Sequence, residues 1–360
     1  MGKSVNPEFL SFYSGKKVMV TGHTGFKGSW LAFLLNEVGA KVLGYALPAE
    51  KPTSHFASLK LEKVIQHVEA DVRDEARLAS AMRDFQPEFV FHLAAQALVR
   101  PAYAEPKETF ETNVMGSVNL LEAVRKCESV RSLVYITSDK CYENLEWIWG
   151  YRETDRLGGN DPYSASKAAA EIIFSSYARS YFSFRPELGA ASTRAGNVIG
   201  GGDWAVDRIV PDCIRAISAG KPVVLRHPNS TRPWQHVLEP LAGYLMLGKY
   251  LREEPKVYSG AWNFGPSSNE GCSVKEVAEK IVGRFGKNGI VVEPGDSKQH
   301  EANLLQLNCD KANLILGWRP RWSLGQTLEA TADWYKAVMD GAQASDVTRK
   351  QLREYFTELK

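Results

Sequence analysis

Tyr163 and Lys167 lie four residues apart in the segment Tyr-Ser-Ala-Ser-Lys, and this pair is the strongest chemical signal in the sequence. Four residues make about one helical turn, so on a helix both side chains lie on the same face. The lysine ammonium then favours a phenolate that otherwise forms only at about pH 10. Such a phenolate can take the proton of a substrate hydroxyl while a neighbouring nicotinamide accepts the hydride.

A glycine motif near the start of the chain, Gly22-x-x-Gly25-x-x-Gly28, predicts the site for that nicotinamide cofactor. The first glycine permits a tight turn, the second lets the backbone approach a pyrophosphate, and the third lets helix and strand pack closely. The amino end of the following helix then faces the phosphates with unpaired N–H groups. An ordinary strand-turn-helix junction is the alternative, and the flanking strand and helix patterns favour the cofactor.

The segment after the second predicted strand, residues 45–48, favours NAD over NADP. It contains no arginine that could bind the 2′-phosphate of NADP. It also lacks the acidic residue that usually binds the ribose hydroxyl of NAD. Asp71 and Val72 follow the third predicted strand and could hold the adenine edge. The alternative for Asp71 is a turn or a helix cap, because a helix pattern begins just after it.

Strand and helix patterns alternate up to about residue 195, and this predicts an α/β fold with a Rossmann-type, doubly wound parallel sheet. Predicted strands cover residues 16–21, 41–45, 65–69, 89–93, 132–136 and 190–194, and predicted helices cover residues 29–38, 75–85, 109–126 and 163–181. Residues 1–195 are therefore predicted to form the NAD-binding domain, to which a later segment at about 235–262 returns. Residues 196–360 are predicted to form mainly a smaller, mixed α/β lobe for the substrate, with a polar surface helix at 342–360.

The overall composition argues against several classes of protein. The 360 residues carry a net charge of +2, which gives no electrostatic reason to expect nucleic acid or an anionic membrane as partner. No apolar run reaches the roughly 20 residues of a membrane span, and the first 17 residues lack a signal-peptide core. Five scattered cysteines without CxxC spacing predict reduced thiols, no zinc or other metal site, and a cytoplasmic protein.

These motifs resemble those of the extended short-chain dehydrogenase/reductase family, over about residues 15 to 335. The resemblance is carried further by Asp71-Val72, His92-Leu93-Ala94-Ala95, Thr112-Asn113-Val114-x-Gly116, Arg194-Ala195-Gly196-Asn197, Arg232-Pro233-Trp234 and Asn263-Phe264-Gly265. Family members act mostly on nucleotide-diphosphate sugars and are usually homodimers, here through helices 109–126 and 163–181. The resemblance implies a cofactor site of Gly22, Thr24, Gly25, Phe26, Gly28, Asp71, Val72, Leu93, Ala94, Ala95, Thr112, Tyr163 and Lys167.

The segment Thr137-Ser138-Asp139-Lys140 indicates which reaction the resemblance implies. Ser138 falls at the catalytic Ser/Thr of the family, and Asp139-Lys140 resembles the acid–base pair of the 4,6-dehydratases that act on CDP-glucose. Residues 196–204, 207–212 and 300–303 are similar to the same branch. A salt bridge on the surface is the alternative for the pair. A 4-epimerase, a simple dehydrogenase and a dinucleotide-sensing regulator are the alternatives for the protein.

By this resemblance, Tyr163 accepts the proton of the 4-hydroxyl, and Ser138 bonds the 4-oxygen. Lys140 removes the C5 proton, and Asp139 protonates the departing 6-hydroxyl. The pair must therefore work as a neutral lysine and a protonated aspartate, forms that burial favours. The product is a 4-keto-6-deoxy sugar, a precursor of the deoxysugars in surface polysaccharide such as O-antigen lipopolysaccharide.

The resemblance also implies contacts for the nucleotide and its diphosphate. Arginine suits a phosphate because it can donate two parallel hydrogen bonds. Substrate contacts are expected from Gln96, Ser138, Asn197, Arg208, Arg232 and Asn263. His23 and Lys27 are bulky for a pyrophosphate turn, and by crowding it they could weaken NAD binding. The alternatives for Lys27 are that it reaches a phosphate or that it lies in solvent.

Overall fold

The computed structural model describes residues 8–49, 52–266, 272–286, 289–292 and 304–356. The predicted motif at residues 300–303 lies outside them. The strands are β1 Lys17–Thr21, β2 Lys41–Ala46, β3 Gln66–Glu69, β4 Phe89–His92, β5 Ser132–Ile136, β6 Gly189–Ala195, β7 Val198–Ile199, β8 Val223–Leu225, β9 Thr231–Arg232, β10 Gln235–His236, β11 Gly260–Phe264, β12 Cys272–Ser273 and β13 Ile290–Val292.

The helices alternate with the strands in the first half of the chain, as the sequence predicted. They are α1 Glu8–Ser11, α2 Phe26–Glu37, α3 His55–Ser58, α4 Glu75–Phe85, α5 Val99–Ala104, α6 Pro106–Phe110, α7 Gly116–Lys126, α8 Pro162–Ser180, α9 Ile209–Ser218, α10 Leu238–Glu253, α11 Pro255–Tyr258, α12 Val274–Arg284, α13 Leu324–Met339 and α14 Ala344–Phe356. No helix among the described residues is both long enough and apolar enough to cross a membrane.

Seven parallel strands form the central sheet in the order β11-β6-β5-β4-β1-β2-β3. Side chains of one strand alternate between the two faces of the sheet. Val18 and Val20 belong to the core that includes α2 and α10, whereas Met19 belongs to the core that includes α4, α7 and α8. Helices therefore cover both faces, and the predicted doubly wound α/β fold is confirmed.

The predicted helix at 109–126 is interrupted. A π-helical segment, Glu111–Met115, separates α6 from α7. Within it, the Asn113 side chain accepts a hydrogen bond from Gln96 N at 2.8 Å and donates to Ser166 Oγ at 2.8 Å. The irregular turn thus joins the segment after β4 to α8, and it depends on partners that the local sequence does not contain.

Helix α8 begins with strong local signals. Pro162 occupies its first turn, and the Asp161 carboxylate caps the helix by accepting a hydrogen bond from Ser164 N at 3.0 Å. This start fixes Tyr163 in the first turn and places Lys167 one turn later, with both side chains buried.

Short two-stranded ladders make up the sheet structure of the later region, where β7 pairs with β10, β8 with β13, and β9 with β12. Arg100 connects this region to the segment after β4, because its Nη1 lies 3.0 Å from Asp207 Oδ1. The description of 342–360 as a polar surface helix was wrong for its described part. Helix α14 is amphipathic, and Thr348, Leu352 and Tyr355 are at most 1 % exposed.

Candidate active site

The glycine turn after β1 is packed so closely that no side chain would fit at Gly22 or Gly28. A Cβ on Gly22 would lie 2.7 Å from Ala94 N, and a Cβ on Gly28 would lie 2.1 Å from Gly22 O. Gly22 also has a φ of 74°, which favours glycine. Gly25 is exposed, and as the N-cap of α2 it supplies no side-chain cap. The first amides of α2 are therefore available to a pyrophosphate, and the turn fits a dinucleotide.

The side chains around this turn point in different directions. Thr24 Oγ1 donates to Leu47 O at 2.9 Å, and Phe26 faces Gly200 of the later region. His23 is buried against β2, where Gly44 leaves room for its ring, and its Nε2 lies 2.7 Å from His67 Nδ1. The expectation that His23 crowds the pyrophosphate turn was therefore wrong.

Lys27 points toward the catalytic residues, rather than into solvent. Its Nζ lies 3.5 Å from the hydroxyl of the buried Tyr244. Burial lowers the pKa of Lys27 to about 8, and the charges of Arg208 and Lys167 contribute to this fall, whereas Asp139 opposes it. The Lys27 ammonium consequently shares one electrostatic environment with the catalytic side chains.

The far wall of the cofactor site comes from the ends of β3 and β4. Leu93, Ala94 and Ala95 are half-buried beside Gly22, and Thr112 is half-buried in the π-helical segment. Asp71 behaves as the turn alternative predicts. Asp71 Oδ1 accepts a hydrogen bond from Arg73 N at 2.8 Å. Asp71 Oδ2 accepts two hydrogen bonds from the Arg73 guanidinium, at 2.6 and 2.8 Å.

Val72 is buried under α7, where a Cβ on Gly116 would lie 2.8 Å from Val72 Cγ2. This close approach brings the end of β3 against the start of α7. The predicted cofactor residues thus lie around the carboxyl ends of the parallel strands, which is where this fold binds ligands.

Ser138, Asp139 and Lys140 form the turn that follows β5. The Ser138 hydroxyl donates to Asp139 Oδ1 at 2.9 Å and accepts a bond from Lys140 N at 3.3 Å. Asp139 is only 3 % exposed, and its Oδ2 lies 3.0 Å from the position of a Cβ on Gly196. The Lys140 ammonium is half-buried and forms no hydrogen bond or ion pair within the described part of the chain.

Tyr163 and Lys167 approach this turn from α8, and both are less than a tenth exposed. Burial raises the pKa of Tyr163 to about 12, and the Asp139 charge adds to this rise. A hydrogen bond with Ser138 and the Arg208 charge act in the opposite direction. Burial also lowers the pKa of Lys167 to about 8. The structure therefore brings together all five residues that were predicted to be catalytic.

The predicted substrate residues divide into two groups. Arg208 lies close to Tyr163 and pairs with the buried Asp203 at 2.9 Å. Arg232 is half-buried on β9, and Asn197 is half-buried just before β7. Among the described residues, the Asn197 side chain has no hydrogen-bond partner. These three side chains remain accessible to a ligand.

Gln96 and Asn263 are placed differently from the prediction. The Gln96 amide is bonded to Leu98 and Thr109, so it braces its own segment. Asn263 is fully buried, and its amide bonds Tyr142 OH at 2.8 Å and Tyr151 O at 2.8 Å. Protein groups satisfy both amides in this structure, and the roles of the two residues in substrate binding stay predictions.

One buried carboxylate beside the catalytic residues was missed. Glu171 is 2 % exposed and lies four residues after Lys167 and eight after Tyr163 on α8. That spacing puts it on the same helix face, and this signal could have identified it from the sequence.

The seven-stranded parallel sheet and the Tyr163–Lys167 pair define a short-chain dehydrogenase/reductase of the extended type. The sequence model of the GDP-mannose 4,6 dehydratase family matches residues 19–331, and the chain belongs to that family. It is 46 % identical over 351 residues to the CDP-glucose 4,6-dehydratase of Salmonella typhimurium, with 96 % of this chain and 98 % of that protein covered.

More distant relatives share the same fold. The dTDP-glucose 4,6-dehydratase of Streptomyces antibioticus is 27 % identical over 326 residues, which cover 89 % of this chain and 92 % of that one. A crystal structure of UDP-glucose 4-epimerase from Thermus thermophilus, a complex with NAD, superposes with a TM-score of 0.75 at 28 % identity. That match covers 89 % of this chain and 99 % of the epimerase.

Proposed function

We propose that this protein is an NAD-dependent CDP-glucose 4,6-dehydratase, a hydro-lyase that converts CDP-glucose into CDP-4-dehydro-6-deoxyglucose and water. The observation that carries this proposal is the turn after β5. It holds an aspartate and a lysine, Asp139 and Lys140, beside the buried Tyr163 and Ser138. An epimerase needs no acid–base pair at C5 and C6. The 46 % identity to the Salmonella enzyme supports CDP-glucose as the substrate.

Bound NAD would supply the hydride acceptor for glucose C4 and, in its reduced form, the hydride donor for C6. The glycine turn at Gly22, Gly25 and Gly28 would hold the pyrophosphate, because Gly25 is exposed at the amino end of α2 and presents no side chain there. Lys167 would hold the ribose hydroxyls of the nicotinamide half. The end of β4, at Ala94 and Ala95, would form the opposite wall.

The oxidation step requires a base at the 4-hydroxyl. Tyr163 accepts that proton while the hydride leaves C4, so a C4 ketone is formed. Ser138 donates a hydrogen bond to the 4-oxygen, and the Arg208 charge favours the phenolate form of Tyr163, whose pKa burial raises. We assign the same effect to the cationic Lys167, one helical turn away. The ketone makes the neighbouring C5 proton acidic.

The elimination step uses the acid–base pair on the turn. Lys140 removes the C5 proton, and Asp139 donates a proton to the 6-hydroxyl, which leaves as water and generates a C5–C6 double bond. Lys140 returns a proton to C5 when the hydride arrives at C6. The proton that Tyr163 took from the 4-hydroxyl balances the one that Asp139 gave to the leaving hydroxyl, so both groups are reset when Asp139 is reprotonated. The overall change is the loss of one water without net oxidation, and the cofactor is regenerated in each turnover.

Substrate binding is assigned to the region after residue 196, which we propose is mainly a nucleotide-sugar lobe. Arg208 and Arg232 offer guanidinium groups for the diphosphate, and Asn197 offers an amide that is free within the described residues. The Arg208–Asp203 pair holds the first of these arginines at the edge of the catalytic pocket.

The protein's assembly and setting complete the proposal. We expect a homodimer in which α6, α7 and α8 pack against their copies, because Phe110, Met115 and Ile172 are 38 %, 52 % and 58 % exposed there. We place the enzyme in the cytoplasm, at the start of deoxysugar synthesis for O-antigen lipopolysaccharide. Light scattering over a range of concentrations tests the dimer, and a monomer at micromolar concentration would refute it.

The test of the proposed function is a product analysis by NMR in heavy water. The purified protein is incubated with NAD and, in separate samples, with CDP-, dTDP- and UDP-glucose. We expect a 4-keto-6-deoxy product from CDP-glucose that carries deuterium at C5, without accumulation of NADH. A 4-epimer that retains its C5 proton would refute the dehydratase in favour of an epimerase, and steady accumulation of NADH would indicate a dehydrogenase.

A further inference from the structure

A buried ion pair lies directly behind the catalytic residues and has no assigned role. Arg194 Nη2 is 2.9 Å from Glu171 Oε2, and the two residues are 4 % and 2 % exposed. Glu171 Oε2 also accepts a hydrogen bond from Ser192 Oγ at 2.8 Å. The pair therefore connects the middle of α8 to the end of β6.

The same ion pair is bonded to both ends of the catalytic turn. Thr137, just before Ser138, donates from its hydroxyl to Glu171 Oε1 at 2.5 Å. Tyr142, two residues after Lys140, accepts a hydrogen bond from Arg194 Nη1 at 2.8 Å. The Arg194 guanidinium also lies 4.9 Å from the centre of the Tyr142 ring. The turn that carries Asp139 and Lys140 is thus held at both ends by hydrogen bonds to one ion pair.

Glu171 also reaches the second half of the catalytic machinery. It follows Tyr163 and Lys167 along one face of α8. Burial lowers the pKa of Lys167, and the negative charges of Cys141 and then of Glu171 oppose this fall. The titratable groups that face Lys167 are Lys27 on α2, His92 on β4, Cys141 in the catalytic turn, and Tyr163 and Glu171 on α8. Glu171 is the acidic group among these.

Stability alone is a weak reason to keep such a pair. Removing two charges from water costs several kcal/mol per ion, and apolar replacements of buried pairs are often neutral or stabilising. Arg194 Nε is itself buried without a hydrogen-bond partner among the described residues, which adds to that cost. The pair instead fixes the positions of α8, β6 and the catalytic turn relative to one another.

We infer that Glu171 and Arg194 are positioning residues, which hold the Ser138–Asp139–Lys140 turn against the Tyr163–Lys167 face of α8. This inference rests on the proposed function, since it assigns the pair to the alignment of the oxidation and elimination groups. Glu171 additionally keeps Lys167 protonated. Neither side chain touches the substrate.

The decisive experiment compares Glu171→Gln, Arg194→Lys, and the double variant Glu171→Gln/Arg194→Met in CDP-glucose turnover. A misplacement of about 1 Å costs roughly 100-fold in rate, so we expect kcat to fall by about that factor in Glu171→Gln and in the double variant, with KM nearly unchanged. Arg194→Lys keeps the charge and should retain more activity than the double variant. Thermal unfolding is measured in parallel for every variant.

The double variant separates positioning from stability. It leaves no uncompensated buried charge, so we expect its thermal stability to recover relative to Glu171→Gln, in which Arg194 loses its partner. If the pair served stability alone, kcat would recover together with the melting temperature, and that result would overturn the inference. The double variant decides the question even if Glu171→Gln fails to fold.

The pH profile gives an independent readout. Without the Glu171 charge, Lys167 loses its proton at lower pH, so the alkaline limb of kcat should shift down by on the order of one pH unit. Glu239→Gln is the matched control, because Glu239 is 1 % exposed and bonds Tyr355 and the backbone of Arg321 and Trp322, outside the site. This control should lose stability and keep the profile of the unmodified enzyme.

The two hypotheses fail in different ways. If the unmodified enzyme forms no 4-keto-6-deoxy sugar from CDP-glucose, the proposed function is refuted. If it forms that product, and the Glu171 variants keep both its kcat and its pH profile, only the positioning role is refuted.

Discussion

Replacing Gly28 with alanine would place a methyl group inside the turn that the cofactor site depends on. Its Cβ would lie 2.1 Å from Gly22 O and 2.8 Å from both Gly22 C and His23 Cα. Contacts shorter than about 3.0 Å are essentially never seen for a Cβ. The neighbours in question are backbone atoms, which cannot rotate away as a side chain could.

The magnitude follows from this geometry. Helix α2 must move away from the turn by about 1 Å, and overpacking of this kind costs about 1–3 kcal/mol of unfolding free energy. The same movement withdraws the first amides of α2 from the pyrophosphate. The loss of one charge-assisted hydrogen bond, worth about 1.5–3 kcal/mol, lowers NAD affinity by about 10- to 100-fold.

Two other glycines provide matched controls. Gly25→Ala meets only Gly22 O, at 3.3 Å, so it should preserve stability within about 0.5 kcal/mol while it obstructs the face that is open to the pyrophosphate. Gly283→Ala, within α12, meets nothing within 4 Å and should stabilise the protein by about 0.5–1 kcal/mol without any change in NAD affinity.

The assays are urea-induced unfolding and calorimetric titration with NAD, applied to all three variants. We expect Gly28→Ala to lose both stability and affinity, Gly25→Ala to lose affinity alone, and Gly283→Ala to lose neither. A Gly28→Ala protein with unchanged stability and NAD affinity would refute this expectation.

Further predictions concern the chemistry and the last described helix. Lys140→Met and Asp139→Asn should still oxidise C4 but should block elimination. Rapid mixing should therefore reveal a transient NADH absorbance without product. Full dehydratase activity in either variant would contradict the assigned roles. Because the pKa of Lys167 is about 8, the lysine is protonated below that pH, and kcat should decline as the pH rises through about 8; a flat profile to about pH 10 would contradict this. Tyr355→Phe removes a 2.6 Å hydrogen bond to the buried Glu239 and should cost about 1–3 kcal/mol of unfolding free energy, measured with urea.

The sheet could be predicted because its strands carry strong local patterns. Strand β5 and helix α4 have the predicted bounds, since a buried parallel strand is a nearly continuous apolar run and α4 begins after the capping Asp74. The turn at Ser138, Asp139 and Lys140 was predicted from its resemblance to the extended short-chain dehydrogenase/reductase family, whereas the pairing of Tyr163 with Lys167 follows from their helical spacing.

The sequence was less informative where the outcome depends on distant partners. Asn263 stands at the end of a strand, as a ligand-binding residue would, but Tyr142 and Tyr151 from another segment already satisfy its amide. Gln96 is likewise bonded within its own region. The helix at 109–126 is broken because Asn113 reaches across to α8, and a single-segment pattern contains no sign of that contact.

Helix α14 has a consequence for the order in which the chain can fold. Arg349 Nε, on α14, bonds Glu37 at the end of α2, although the two residues are 312 positions apart. The His55 ring lies between Trp30 of α2 and Trp334 of α13. The helix that follows the glycine turn therefore completes its packing only after the last described helix has been synthesised. During translation, the nascent dinucleotide-binding half should expose part of this surface. It should then be more sensitive to proteases, and more dependent on chaperones, than its early place in the chain suggests.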